Sequence, residues 1–384
     1  MTQAVCYLDN NATTRVDPQV LEAMLPYLQD RYGNPSSPHN FGASVMADIE
    51  QARTQVARAI AARASEIIFT SGGTEADNAA LRGVLAARPN KRHIIVSAVE
   101  HHAILETVEA LERDGVQVTQ IDVDRDGRLD LHQLAGAIRD DTLLISVMLA
   151  NNETGVILPV AEVCKLAKPR GVLVHTDAVN ALGKMPVDAE TLGVDLLSLS
   201  AHKIHGPKGT GVLYLRRGTP FRPIITGGPQ ERQRRGGTHN AAGIVGLGKA
   251  CALLGELGDG EHARVRALRD RLEREITRRF DFAHPIGAAA ERVPNTSCIC
   301  FAGVEAEAIV LLLSENGVCV SSGAACSSGS LEPSHVLKAM GIEPQIAQGQ
   351  IRFSLGRFNS DADVDRLLEV LPRVLEKVAA VNVP

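Results

Sequence analysis

The sequence predicts an α/β protein: a parallel or mostly parallel sheet with helices on both faces, joined to a smaller α+β unit. Three observations carry that prediction. Short apolar runs alternate with segments of helical period between residues 66 and 200. Most of these runs are apolar at consecutive positions, as strands covered on both faces must be. Past residue 250 the alternation gives way to a long charged helix, cysteine-bearing strands and a closing amphipathic helix.

Taken in order, Val45, Ile49, Ala52, Val56 and Ile60 recur every three or four residues and predict a helix over 45–60. EIIFT (66–70) is a strand, 75–85 a helix, HIIVS (93–97) a strand and 102–114 a helix. VQVTQI (116–121) and LLISVML (143–149) are strands, 160–168 is a helix, and VLVHT (172–176) and LLSLS (196–200) are strands. The second unit holds a charged helix over 261–280, the strand-like SCICFAGV, an acidic helix near 304–315, the strand IRFSLG (351–356) and a helix over 360–378. Gly and Asp near 255–262 mark the boundary, which divides the chain into 16–255 and a smaller unit of 1–15 with 256–384.

Of 384 residues, 45% are hydrophobic and 22% charged, ordinary for a soluble globular chain. A net charge of −5 supplies no basic field for nucleic acid, and 3% aromatic residues leave little to stack on bases. No apolar run reaches the roughly 18 residues of a membrane span. MTQAVCYLDNNATT lacks the charged and apolar regions of a signal peptide. Seven cysteines without a secretion signal read as reduced thiols. The expectations are a cytoplasmic protein with neither nucleic-acid nor membrane partners.

Sheets of this kind gather their sites at the carboxyl ends of the strands, and the polar clusters lie there. SGGTEADN (71–78) is a Gly-rich turn opening a helix, either a plain capped start or an anion site, most often for phosphate. Asp177 in TDAVN is either a cap or the partner of a cation such as a protonated pyridine nitrogen. Glu100, His101 and His102 offer no i, i+4 metal pair, so His101 reads as a ring lid or acid/base group, or as half of a solvated pair. In SLSAHKIHGPKG, Lys203 sits between two histidines where a strand ends. Polar residues gather at such exits, but an amine there is also placed to form a Schiff base. Arg352 is either a surface ion-pair partner or a fork for a carboxylate. Cys326 has no large side chain for five residues before it or four after, so its accessible thiol is an accident or a nucleophile. Cys6, Cys164, Cys251, Cys298, Cys300 and Cys319 sit in apolar or strand-like contexts. DVDRDGRLDLHQ opens like a calcium loop but has Gln133 where the loop needs Glu, so it predicts a polar turn.

Each cluster alone is weak. Together, a phosphate turn, an acid, an amine and a histidine at strand ends, and a distant arginine are what pyridoxal phosphate and an amino-acid substrate require. The stretches YLDNNATT, YGNPSSPH, FTSGGTEADN, EHHAIL, NNETG, HTDAVN, SAHKIHGPKG, RRGGT, SSGAACSSGSLEPSH and IRFSLGR resemble the cysteine desulfurases of the NifS/IscS kind, from residue 7 to 357. The SLEPSHVLKAMG stretch favours the nitrogen-fixation NifS branch. The resemblance implies the fold-type-I pyridoxal phosphate transferase architecture, with a mostly parallel seven-stranded sheet and the small domain carrying a catalytic loop near 320–335. It implies Lys203 as the covalent anchor, Asp177 at the pyridine nitrogen and His101 over the ring. Gly73, Thr74, Ser200 and His202 would hold the phosphate, with Thr238 reaching that of a partner subunit in a homodimer. Asn34, Asn152 and Arg352 would hold the carboxylate of L-cysteine. Cys326 would take the sulfur as a persulfide and pass it to an iron–sulfur scaffold of the NifU/IscU type. No intrinsic metal is implied beyond a transient cluster contact at Cys326.

Two positions depart from the family pattern. Asn180 stands where a Gln usually meets the cofactor's phenolic oxygen, and Pro229 stands in GGPQE where Gly is expected. A selenocysteine lyase or an aminotransferase-like enzyme would share most of these parts. A non-catalytic iron–sulfur scaffold is opposed by the lack of any CxxC or closely spaced cysteine triad.

Overall fold

The computed structural model describes residues 5–323 and 333–381. It opens with a short strand β1 (Cys6–Tyr7) and two helices, α1 (Pro18–Gln29) and α2 (Asn40–Ala59). Then come β2 (Ile67–Thr70), β3 (His93–Ser97), β4 (Gln117–Ile121), β5 (Thr142–Ser146), β6 (Leu173–Asp177), β7 (Leu196–Ser200) and β8 (Gly211–Leu215). They form one seven-stranded sheet in the order β2-β8-β7-β6-β5-β3-β4. Every pairing is parallel except those of β8, which runs antiparallel to β2 and β7.

The connecting helices α3 (Gly73–Ala87), α4 (His102–Arg113), α5 (Leu131–Ala137) and α6 (Val160–Ala167) cover the sheet. Successive strand residues point to opposite faces. Accordingly Ile67, Phe69 and Ile95 enter one apolar cluster, while Ile68, Ile94 and Val96 enter another. This two-sided burial explains the unbroken apolar runs. At the edge, β4 leaves Gln117 and Gln120 exposed, which explains its polar composition.

The structure adds α1, α5 and β8 to the elements legible in the sequence. A five-residue apolar run such as GVLYL does not declare its state by periodicity. Its start is tightly packed: a Cβ at Gly211 would meet the Gly72 backbone at 2.6 Å. Glycine there lets β8 lie against the turn that opens α3. The helix expected from residue 261 is instead the second half of Ala241–Arg279. That helix bends by 86° about Gly258, whose φ of +63° suits glycine. Among the described residues, no single helix is long and apolar enough to cross a membrane.

Beyond the bend, β9 (Ala283–Ile286), β10 (Thr296–Phe301), β11 (Val318–Cys319), β12 (Ser321–Ser322) and β13 (Gln350–Ser354) appear. A four-stranded antiparallel sheet has the order β12-β13-β10-β9, and β1 pairs in parallel with β11. Cys6 and Leu8 share an apolar core with Leu272, Phe301, Phe353 and Leu371. The acidic turn at 122–133 closes on itself: Asp124 Oδ1 accepts from the amides of Asp126 and Arg128, and the Arg128 guanidinium bridges Asp124 and Asp126.

Candidate active site

The carboxyl ends of β2, β3, β5, β6 and β7 converge on a cavity of about 310 Å³. Gly73, Thr74, His101, Asn152, Asp177, Asn180, Ser200, His202, Lys203 and Arg352 all line it. Residues far apart in the chain thus meet at one point. Arg352 comes from β13, in the second sheet. Gly323 and His335 also stand in the wall, flanking the segment 324–332. Cys326 falls in that segment and lies outside the described residues. Asn34 and Thr238 are exposed and do not line this cavity. Asn34 Oδ1 instead accepts from the Ser36 amide at 2.9 Å. A larger cavity of about 610 Å³ adjoins Lys203 near Leu182–Val187 and the bent helix, but it lacks Asp177, His101 and the α3 start.

Lys203 ends a short 3-10 turn directly after β7. Its Nζ donates to the carbonyls of Asn11 and, at 3.0 Å, Ala12. His205, two residues on, is held at φ +64° by its own amide's bond to Thr14 Oγ1 at 2.8 Å and by Nδ1 against the Arg15 carbonyl. A non-glycine residue in that region is strained and needs such support. The lysine turn is therefore clamped onto the 11–15 segment.

The fit to pyridoxal phosphate rests on the donor set. Gly72, the N-cap of α3, has no side chain to cap the first-turn amides. A Cβ at Gly73 would sit 2.8 Å from Val179 Cγ2, so only glycine leaves this cradle open. Uncapped amides with Thr74, Ser200 and His202 beside them suit a phosphate. Burial lowers the His202 pKa to about 4, helped by Lys203, so the ring is neutral at pH 7. Burial and then Lys203 likewise hold His101 at about 4. Its Nδ1 accepts from the Ala103 amide at 3.1 Å, which fixes the ring as the N-cap of α4. Burial raises Asp177 to about 6, opposed by the Val179 amide and Lys203. A protonated pyridine nitrogen is the cation that would hold this carboxylate ionised. Arg352 donates to the Asn152 carbonyl at 3.1 Å and to Asp9 at 2.9 Å, while its buried Nε has no hydrogen-bond partner among the described residues. That free N–H suits a substrate carboxylate.

Sequence reasoning missed the layer beneath. Asp77 lines the cavity, its Oδ1 lacks a hydrogen bond among the described residues, and burial with Asp177 nearby raises its pKa well above the usual carboxylate range. His175 Nε2 lies 3.6 Å from that oxygen. The His175 ring is held between Ser146 and Ser198 at 2.8 and 3.0 Å. Asp77 was visible one helical turn after Gly73, but nothing in SGGTEADN marks it as inward-facing. Asn180 Oδ1 accepts from Lys184, and Asn180 Nδ2 donates to the Asn151 carbonyl at 3.2 Å. Pro229 caps a tight turn whose Glu231, Arg232 and Gln233 all have positive φ.

An α/β sheet with an amine, an acid and a phosphate cradle at its strand ends defines a pyridoxal phosphate enzyme of the fold-type-I class. The aminotransferase class-V model matches residues 6–367, and the chain belongs to that family. It is 52% identical over 378 residues to a cysteine desulfurase of Cereibacter sphaeroides, covering 98% of this chain and 97% of that one. It is 50% identical over 381 residues to a cysteine desulfurase of Trichormus azollae, covering 99% and 95%. A solved NifS-like protein superposes with a TM-score of 0.92 at 40% identity, covering 97% of this chain and all of that one.

Proposed function

We propose that this chain is a pyridoxal phosphate-dependent cysteine desulfurase that converts L-cysteine to L-alanine and leaves the sulfur on Cys326. The observation that carries this is the convergence of Lys203, Asp177, His101 and the open start of α3 on one cavity, with Arg352 in its wall. Bound there, the cofactor supplies an electron sink for the bond broken at the substrate Cα.

The residues divide the work. Lys203 would hold the cofactor through its amine and would take the proton from the substrate Cα. Arg352 and Asn152 hold the substrate carboxylate. Neutral His101 would pack against the cofactor and accept or return a proton. Asp177 keeps the pyridine nitrogen protonated. Cys326 lies three residues beyond Gly323, a wall residue. The Cys326 thiolate would attack the substrate sulfur; the C–S bond breaks with its electron pair going to the substrate carbon, which takes up a proton on the way to alanine, and the persulfide stays on the enzyme.

We divide the chain into a large lobe of 16–255 and a small lobe of 1–15 with 256–384. The enzyme acts as a cytoplasmic homodimer in which Thr238 serves the partner's phosphate. The persulfide goes to an iron–sulfur scaffold of the NifU/IscU type, in the service of nitrogen fixation. The SLEPSHVLKAMG stretch supports that branch, and the RRGGT loop supports the shared site.

Two variants test the central reading. Lys203→Ala is expected to abolish the visible absorption band of the lysine-bound cofactor. Cys326→Ala is expected to keep the band and lose sulfide release from cysteine. Wild-type sulfide release by Cys326→Ala overturns the persulfide role, and selenide release favoured over sulfide release marks a selenocysteine lyase instead.

A further inference from the structure

Lys184 is a buried lysine that the mechanism above does not use. It is 8% exposed, and among the described residues no carboxylate lies within ion-pair reach. Its Nζ donates instead to two amide oxygens, Asn11 Oδ1 at 2.8 Å and Asn180 Oδ1. Burial of an ammonium this way is costly and is seldom kept without a role. Burial itself, then Lys203 and Arg352, pull the Lys184 pKa well below the usual lysine range.

Both acceptors belong to the cavity floor. Asn11 is 1% exposed, lines the cavity, and its carbonyl accepts from Lys203 Nζ. Its side chain is completed by Thr296 Oγ1 at 2.8 Å and the Asn152 carbonyl at 3.0 Å, and it receives Asn295 Nδ2 at 3.0 Å. Asn180 is 4% exposed and lines the same cavity. Lys184 Nζ donates to the Asn180 oxygen, and that contact fixes which end of the amide faces it. The NH2 end is thereby turned the other way. One of its N–H groups goes to the Asn151 carbonyl, leaving the other for an oxygen acceptor in the cavity.

We propose that Lys184 is a positioning residue that locks the short Asn180 amide as a hydrogen-bond donor to an oxygen of the bound cofactor, and steadies Asn11 beneath the Lys203 amine. This rests on the pyridoxal phosphate reading above. It supplies what a one-methylene-shorter side chain lacks: a fixed orientation in place of reach.

The test is a spectroscopic pH titration of the purified holoenzyme. Removing a donor from the cofactor oxygen lets the proton on the Lys203 nitrogen persist to higher pH. Lys184→Met is expected to raise the midpoint of the visible-band transition by about one pH unit. Asn180→Ala is expected to raise it as well. The double variant is expected to shift no further than the larger single, because the two residues act in series. Asp77, His101, Glu153, Asp177, His202 and Arg352 also face the cavity and stay constant across the series. If Lys184→Met does not fold, Lys184→Gln, which removes the charge and keeps a donor, takes its place with a smaller upward shift expected. An unchanged midpoint with only a lowered melting temperature overturns the proposal, as do additive shifts in the double variant. A wild-type protein that takes up pyridoxal phosphate without any visible band fails the cofactor reading instead.

Discussion

Glu100 opens the EHH stretch but stands outside the cavity lining. It is fully buried, with Oε1 accepting from Ser97 Oγ and, at 2.7 Å, the Met148 amide, while Oε2 has no partner among the described residues. Burial pushes its carboxyl up to about 8, against those two hydrogen bonds. The consequence for stability has a definite sign. Below pH 4.5, its ordinary value, the group is protonated whether the chain is folded or not, and its contribution is complete. As pH rises toward 8 the unfolded chain releases the proton and the folded one keeps it, so stability drains away through that window. Glu100→Gln cannot ionise. Thermal melts of the holoprotein are expected to show it more stable than wild type at pH 8, by on the order of 1 kcal/mol, with the gap shrinking at pH 5. Equal gaps at both pH values would mean that the carboxyl ionises normally inside the fold. At this scale the strand-end residues Lys203, Asp177 and His101 were legible because chemistry restricts which side chains can serve. Glu100 was read only as a neighbour of two histidines, since a sequence does not show which way a side chain points.

Among elements, α2, β2 and the turn at 230–233 are held by one buried ion pair. Arg53 on α2 reaches Glu231 bidentately at 2.6 and 2.8 Å and donates to the Ile67 carbonyl at 3.0 Å. Glu231 also accepts from the Phe69 amide at 2.9 Å and pairs with His239 Nε2 at 2.9 Å. Burial alone would raise the Glu231 carboxyl, but His239 and Arg53 hold it at about 2. The positive φ of Glu231 is strained, and this network keeps it. Glu231→Ala leaves buried Arg53 with only the half-exposed Glu50, 3.0 Å from its Nε, and is expected to cost about 3 kcal/mol in denaturant melts. Replacing both with Arg53→Met and Glu231→Leu is expected to recover most of the loss. A single-variant cost below about 1 kcal/mol, the range of exposed pairs, would show that water reaches Arg53. The apolar stripe of α2 announced the helix. Its partner, 178 residues away, left no local signal.

For the whole molecule, Leu21, Leu25, Leu28, Tyr32 and Phe41 form an exposed apolar set along α1 and the start of α2. Thr238 and Asn34 are exposed and stand outside the cavity lined by their own chain. Both facts favour a second copy. Lys203→Ala and Thr238→Ala chains, each inactive alone, are expected to regain activity when refolded together. In the mixed dimer one cavity carries both changes and the other carries neither. No recovery would mean that Thr238 does not serve a partner's site. By itself the sequence determined the α/β class, most of the sheet strands and the residues suited to cofactor chemistry. These follow from local periodicity and from the few side chains able to do each job. Only tertiary structure decided that β8 joins the sheet antiparallel, that one helix continues through its bend at Gly258, that Asp77 joins the cavity lining, and that His175 and Lys184 lie beneath it. Those facts depend on which distant segments pack together, and packing is fixed by the sum of long-range contacts rather than by any short stretch of chain.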